Sequence, residues 1–263
     1  PMHELAQYID HTLLKADASR AQFEKLCAEA VEYQFATVCV NGSRVELAYS
    51  LLEESDVQVC TVVGFPLGAM DADAKRYETE AAVDAGAGEI DMVMNIGEFK
   101  NKNYDKIANE LNKARELTQN KIIKIIIETS LLSEKEIVIA SQIVESSGGD
   151  FIKTSTGFGK NGANTKNILL ILNSINSKTQ VKASGGIKSL KQLKDEYYID
   201  FTPETETPDN FYIKMGPNFS VDKDGTLFAS GLLQITDIAS YKLPDASINF
   251  CLLILGASVG CRF

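Results

Sequence analysis

The chain has 263 residues, 44% of them hydrophobic and 24% charged, and a formal net charge of −10. The length suits a single domain over residues 1–263, since one α/β barrel commonly runs to about 250 residues. The acidic balance argues against a nucleic-acid or anionic-membrane surface, and no window carries an apolar run of membrane length.

The N-terminus lacks the charged-then-apolar pattern of a secretory leader. Cys27, Cys39, Cys60, Cys251 and Cys261 make an odd count without CxxC spacing, which points to thiols in a reducing, cytoplasmic compartment. With only His3 and His11 present, a zinc site built on several imidazoles is not expected.

Tyr8 to Leu14 is short and apolar, with Asp10, His11 and Thr12 embedded in it. Asp17 and Ser19 supply cap chemistry for a helix through Phe23, Leu26, Cys27, Ala30 and Val31. Ala36 to Val40 reads as a strand closed by Asn41-Gly42, followed by a helix through Leu52. Val57 to Val63 is a further strand, ending in Gly64-Phe65-Pro66-Leu67-Gly68, and the helix after it stops at Gly86. Glu89 to Asn95, Lys121 to Glu128, Asp150 to Thr156 and Gln180 to Ser184 continue the strands. Helices over 103–117, 133–146, 165–175 and 189–196 separate or follow them.

Seven strand-then-helix units, with strands apolar on both sides, predict parallel strands covered by helices. We expect a (βα)8 TIM barrel with an atypical C-terminal segment, because no GxGxxG follows the first strand and an eighth unit has room. From about residue 197 the rhythm breaks. The eighth strand is either Thr226 to Ser230 or the apolar run Phe250 to Ser258.

In such a barrel the chemistry sits at the C-terminal ends of the strands. Asp150-Phe151-Ile152-Lys153-Thr154-Ser155-Thr156-Gly157-Phe158-Gly159 carries a lysine from an apolar run into a Thr/Ser/Gly turn. That sets an amine, the nucleophile for a carbonyl carbon, beside backbone N–H groups fit for phosphate. Lys182 lies on the next strand, and adjacent strands are about 4.8 Å apart, so two amines meet. A nearby cation and an apolar wall would both disfavour protonation of Lys153. Asp91, alone among Ile90, Met92, Val93 and Met94, reads either as a proton-relaying carboxylate or as a buried salt-bridge partner. Gly157, Gly185 and Gly186 follow the last polar residues of their strands, where exposed N–H groups bind phosphate well.

These segments resemble the deoxyribose-phosphate aldolase family of Schiff-base aldolases. The likeness rests on Ile9 to Leu14, Val62 to Gly68, Glu89 to Gly97, Ile127-Glu128-Thr129, Phe151 to Gly159 and Val181 to Ile187, spanning roughly residues 5 to 192. It implies reversible aldol addition of acetaldehyde to glyceraldehyde 3-phosphate, part of deoxyribose phosphate catabolism, without metal or cofactor. It also implies a homodimer or homotetramer. Lys153 matches the Schiff-base lysine, and Asp91 with Lys182 the proton-relay pair. Asp10, Thr12, Cys39, Thr156, Gly157, Ser184, Gly185, Gly186 and Ser230 match the substrate and phosphate pocket. Residues 197–263 depart from the family, since its last phosphate turn is matched only in part by Phe228-Ala229-Ser230-Gly231 and by Gly256-Ala257-Ser258-Val259; the resemblance favours the first as the eighth strand, with Leu232 to Tyr241 as its helix. The alternative is a binding or scaffold protein that keeps the frame without turnover.

Overall fold

The computed structural model describes residues 6–176 and 178–186, together with the backbone of three short strands at 199–200, 214–215 and 249–254. Seven strands run parallel in chain order: β1 (Ile9–Leu13), β2 (Thr37–Val40), β3 (Gln58–Val63), β4 (Glu89–Val93), β5 (Ile122–Ile126), β6 (Phe151–Lys153) and β7 (Gln180–Ala183). Between them lie α1 (Arg20–Tyr33), α2 (Val45–Leu52), α3 (Ala72–Asp84), the short α4 (Ile96–Lys100), α5 (Tyr104–Thr118), α6 (Glu134–Ser146) and α7 (Thr165–Leu172). Each strand pairs with the next in parallel register, so the sheet curls into a circle.

The circle closes in an unexpected way. The backbone of Asn249–Ile254 lies between β1 and β7 and is antiparallel to both. The later of the two candidate segments therefore closes the sheet. It arrives without the parallel crossover that a (βα)8 barrel repeats. The preferred candidate, Thr226 to Ser230, and the helix expected over 189–196 lie outside the described residues. Asn249 pairs with Thr12, so the closing strand begins at the face where β1 ends.

Strand alternation divides the side chains into two shells. Val38, Val59, Ile90, Ile123, Ile152 and Val181 point outward and join the main apolar core beneath the helices. The residues between them point inward, and many are polar: Asp10, Thr37, Glu89, Asp91, Lys124, Lys153 and Lys182. Helix starts obey local rules. Ser133 and Glu136 form a reciprocal capping box at α6, while Asp71 accepts from the Asp73 N–H at α3.

One buried ion pair fixes the end of β4 against its helices. Lys75 of α3 donates to Glu110 of α5 at 2.8 Å and to the Val93 carbonyl at 2.9 Å. Burial holds the Lys75 amine below its ordinary value despite Glu110. Burial likewise keeps the Glu110 carboxyl above its own despite Lys75. Removing one partner leaves the other unpaired in the core, which typically costs about 3–5 kcal/mol. Glu110→Leu should therefore lower the urea midpoint strongly. Lys75→Met/Glu110→Leu should recover most of the loss; a double variant no more stable than the single would sink this account.

Candidate active site

β4, β5 and β6 bring three charged side chains together because their register does so. Asp91 pairs with Lys124 across β4 and β5, and Lys153 pairs with Lys182 across β6 and β7. In-register residues of a parallel sheet share a face, and this face is the sealed interior. Asp91, Lys124, Lys153 and Lys182 are each at most 3% exposed.

Lys153 Nζ lies 2.5 Å from Asp91 Oδ2, and Lys124 Nζ lies 2.9 Å from Asp91 Oδ1. Lys124 also contacts Glu89, stands 3.6 Å from Asp10 Oδ2 and donates to Cys60 Sγ at 3.4 Å. Lys182 Nζ is 2.8 Å from Asp10 Oδ2. The interior thus holds Lys124, Lys153 and Lys182 against Asp10, Glu89 and Asp91, equal numbers of either sign.

The carboxyls respond differently to one environment. Burial alone would raise Asp91, but Lys124 and Lys153 outweigh it and hold the group well below its ordinary value. Asp10 follows the same pattern, with burial overcome by Lys124 and Lys182. Glu89 ends above its ordinary value because burial prevails over Lys124. Burial works against the charge on Lys124, yet Asp10 and Asp91, with Cys60 and Glu89, lift it well above the usual lysine range. Burial pushes the Cys60 thiol far up, with Cys39 and Asp91 adding to the effect.

The expected pairing changes in detail. Lys153 and Lys182 are register partners, yet Lys153 pairs with Asp91 while Lys182 pairs with Asp10. The expected relay pair, Asp91 and Lys182, is linked through Lys124 and Asp10. Cys39 is buried beside Cys60 and Val62. Thr12 Oγ1 donates to the Asp10 carbonyl.

Sequence reasoning passed over Lys124 and Glu89. Lys124 interrupts Ile122-Ile123-Lys124-Ile125-Ile126, the same lone charge in an apolar strand that marked Asp91. Glu89, the first residue of β4 after Gly88, carries no such mark.

The turns after β6 and β7 meet backbone to backbone. Gly185 has φ +82°, and its Cα side faces Gly162, where an added Cβ would stand 2.0 Å from the Gly185 carbonyl. The Ala163 N–H donates to the Ser184 carbonyl at 2.9 Å, and Ser184 Oγ donates to the Ser155 carbonyl. Glu128 organises the first turn from a left-handed conformation, φ +47°. Its carboxylate accepts from the Thr156 N–H at 3.0 Å, from Thr156 Oγ1 at 2.6 Å and from Ser130 Oγ at 2.8 Å. Thr156 thus donates its N–H and its hydroxyl to Glu128, while Oγ1 accepts from the Phe158 N–H at 3.1 Å. The N–H groups of Gly157, Gly185 and Gly186 enter none of these bonds and sit on left-handed turns at the same face. Phe158, exposed at the rim, meets Phe65 edge-on at 5.4 Å. Ser230 lies outside the described residues.

Donor atoms of Cys39, Cys60 and Asp91 lie within 4.8 Å of one another, as do those of Asp10, Cys60 and Glu89. Lys124 touches Cys60, Asp91, Asp10 and Glu89, so an ammonium already supplies the positive charge there. Among the described residues no helix is long and apolar enough to cross a membrane.

Comparison with known proteins adds five findings. The DeoC/LacD family aldolase model matches residues 4–197. The deoxyribose-phosphate aldolase of Mycoplasma mobile is 51% identical over 189 residues, 72% of this chain and 87% of its own. That of Finegoldia magna is 48% identical over 189 residues, 72% and 89% of the two chains. Among solved structures, the aldolase QR15 gives a TM-score of 0.69 at 40% identity, covering 71% of this chain and 84% of that one. The tetrameric deoxyribose phosphate aldolase of Aeropyrum pernix gives 0.67 at 28% identity, covering 72% and 80%.

Asp91 also sets an acid limit on stability. Its folded value is depressed, so its contribution is fully present above the unfolded carboxyl's value near about 3.9 and is lost as pH falls through the folded value. Asp91→Asn strands two buried ammonium groups and should cost about 3–5 kcal/mol at neutral pH. Urea midpoints measured from about pH 5 to about pH 2 should fall less steeply in the variant than in the wild type. Parallel acid slopes would remove Asp91 from this role.

Proposed function

The chain belongs to the DeoC/LacD family of aldolases, and we propose that it cleaves 2-deoxy-D-ribose 5-phosphate reversibly to D-glyceraldehyde 3-phosphate and acetaldehyde through a Schiff base on Lys153. The observation that carries this is the buried Lys153 amine, 2.5 Å from Asp91 at the C-terminal end of β6, in a chain about half identical to deoxyribose-phosphate aldolases.

The chemistry follows from the groups present. The Lys153 ammonium passes a proton toward Asp91 Oδ2, and the freed amine attacks the C1 aldehyde carbon of the open sugar. Loss of water from the resulting carbinolamine forms the C1=N iminium. A base removes the proton of the C3 hydroxyl, the C2–C3 bond breaks, and its electron pair enters the iminium to give an enamine and glyceraldehyde 3-phosphate. Protonation of the enamine at C2 regenerates an iminium, which water hydrolyses to acetaldehyde and the free lysine. Because Lys124 and Lys153 hold Asp91 ionised, it can pass a proton on but not keep it. The anion that remains then faces the iminium cation. Lys182 and Asp10 form a second ammonium–carboxylate pair in the same interior, suited to the remaining proton transfers.

The phosphate would rest on the Gly157, Gly185 and Gly186 turns, where left-handed glycines present backbone N–H groups at the face where the strands end. Asp10, Thr12, Cys39, Thr156 and Ser184 would line or brace the sugar side, with Ser230 a further phosphate contact. A single domain over 1–263 that keeps the TIM-barrel plan with an atypical C-terminal segment, self-association as a homodimer or homotetramer, and a cytoplasmic location complete the proposal. No cofactor is needed, since the iminium itself serves as the electron sink.

Borohydride added with acetaldehyde should reduce the iminium and leave a covalent adduct that peptide mass analysis places on Lys153. Lys153→Ala should abolish trapping and lower the retro-aldol rate by at least about 10⁴-fold. A normal rate in that variant would refute the Schiff base. Ribose 5-phosphate should turn over more slowly than its 2-deoxy counterpart; equal rates would refute the assigned sugar.

A further inference from the structure

We propose that Lys124 is a positioning residue for the aldol reaction: it holds Asp91 in the orientation that faces Lys153, and it joins the Lys153–Asp91 pair to the Lys182–Asp10 pair. The inference rests on the Schiff-base reading above, which counts Lys124 only as a charge beside Asp91, and gives that residue a positioning role.

The geometry is specific. A carboxylate is free to swivel about its last side-chain bond unless both oxygens are held. Asp91 Oδ1 is held by Lys124 at 2.9 Å, which leaves Oδ2 directed at Lys153, 2.5 Å away. Lys124 reaches this point from an in-register position on the neighbouring strand and is 2% exposed. The same Nζ contacts Glu89 and stands 3.6 Å from Asp10 Oδ2, the oxygen that Lys182 also takes. Lys124 is therefore the cation shared by both lysine–carboxylate pairs.

Catalysis makes that sharing necessary. When Lys153 becomes a neutral amine or carbinolamine, Asp91 loses one of its two positive partners inside a buried site. An unpaired buried carboxylate would then take up a proton and no longer face the iminium as an anion. Lys124 forms no bond to substrate and keeps its charge throughout the cycle, so Asp91 stays ionised. The titratable groups that face Asp91 are Asp10 of β1, Cys39 of β2, Cys60 of β3, Glu89 of its own strand, Lys124 of β5, Lys153 of β6 and Lys182 of β7. Of these, Lys124 alone touches Asp10, Glu89 and Asp91 together among the described contacts.

Two variants separate positioning from plain charge balance. Lys124→Met fills the stem's space but leaves Asp10, Glu89 and Asp91 to share two lysines. Lys124→Met/Glu89→Gln restores equal charge without restoring the hold on Asp91. Thermal midpoint, borohydride trapping with acetaldehyde, kcat and the pH profile of kcat/KM on deoxyribose 5-phosphate would be measured for both and for the wild type. The double variant should regain most of the thermal stability that the single variant loses. In both, kcat should fall by at least about 100-fold with KM little changed, as expected when a reacting group is misplaced. The acid limb of the profile should move up by about one pH unit or more, because Asp91 without Lys124 takes its proton at higher pH.

Wild-type kcat and profile in either variant would overturn the inference. So would a double variant that recovers rate along with stability, or one that fails to fold, since each assigns Lys124 to the core alone. If the wild type is trapped and the variants behave like it, only the role of Lys124 fails. If the wild type itself is not trapped, the Schiff base falls and this role falls with it.

Discussion

Neutrality inside a closed sheet is the constraint on which this molecule turns. Six ionisable groups in a water-excluded interior would be prohibitive if any stood charged and alone. Here every lysine of the interior touches a carboxylate, and Asp10, Glu89 and Asp91 each touch a lysine. The arrangement exists only because seven parallel strands place alternate residues on one inner surface at spacings a lysine can bridge. The outer surface, built from Val38, Val59, Ile90, Ile123, Ile152 and Val181, packs under the helices and keeps that interior closed.

The catalytic face is shaped by a different device. The turns after β6 and β7 approach until backbone meets backbone, which glycine at 162 and 185 permits and a β-carbon would block. Glu128, held in a left-handed conformation, captures Thr156 and Ser130 and so sets the path of the first turn. A sparsely populated backbone conformation at a strand end costs stability and persists where its surroundings hold it in place. Three hydrogen bonds to one carboxylate supply that hold.

The C-terminal region departs from the family pattern. The family match ends at residue 197, and the strand that completes the circle runs opposite to the other seven. Among the described residues the lysine and carboxylate cluster comes from β1, β4, β5, β6 and β7.

Local chemistry made much of this legible without coordinates. Short apolar runs alternating with helical patterns marked the seven parallel strands, and Ser133 with Glu136 marked a helix start, because hydrophobic period and capping act within a few residues. Lys153 and Asp91 stood out for the same reason, each a charge in an apolar strand. Lys124 carried that mark too and was lost within its isoleucine run. Partner choice, by contrast, was decided by the tertiary structure alone. Residues 91 and 153 are 62 positions apart, and only strand register and closure of the circle determine that Lys153 takes Asp91, that Lys182 takes Asp10 and that Lys124 lies between them. The closing strand is the same kind of case: pairing between distant segments sets its place and direction, and no local pattern in residues 249–254 encodes which neighbours it will find.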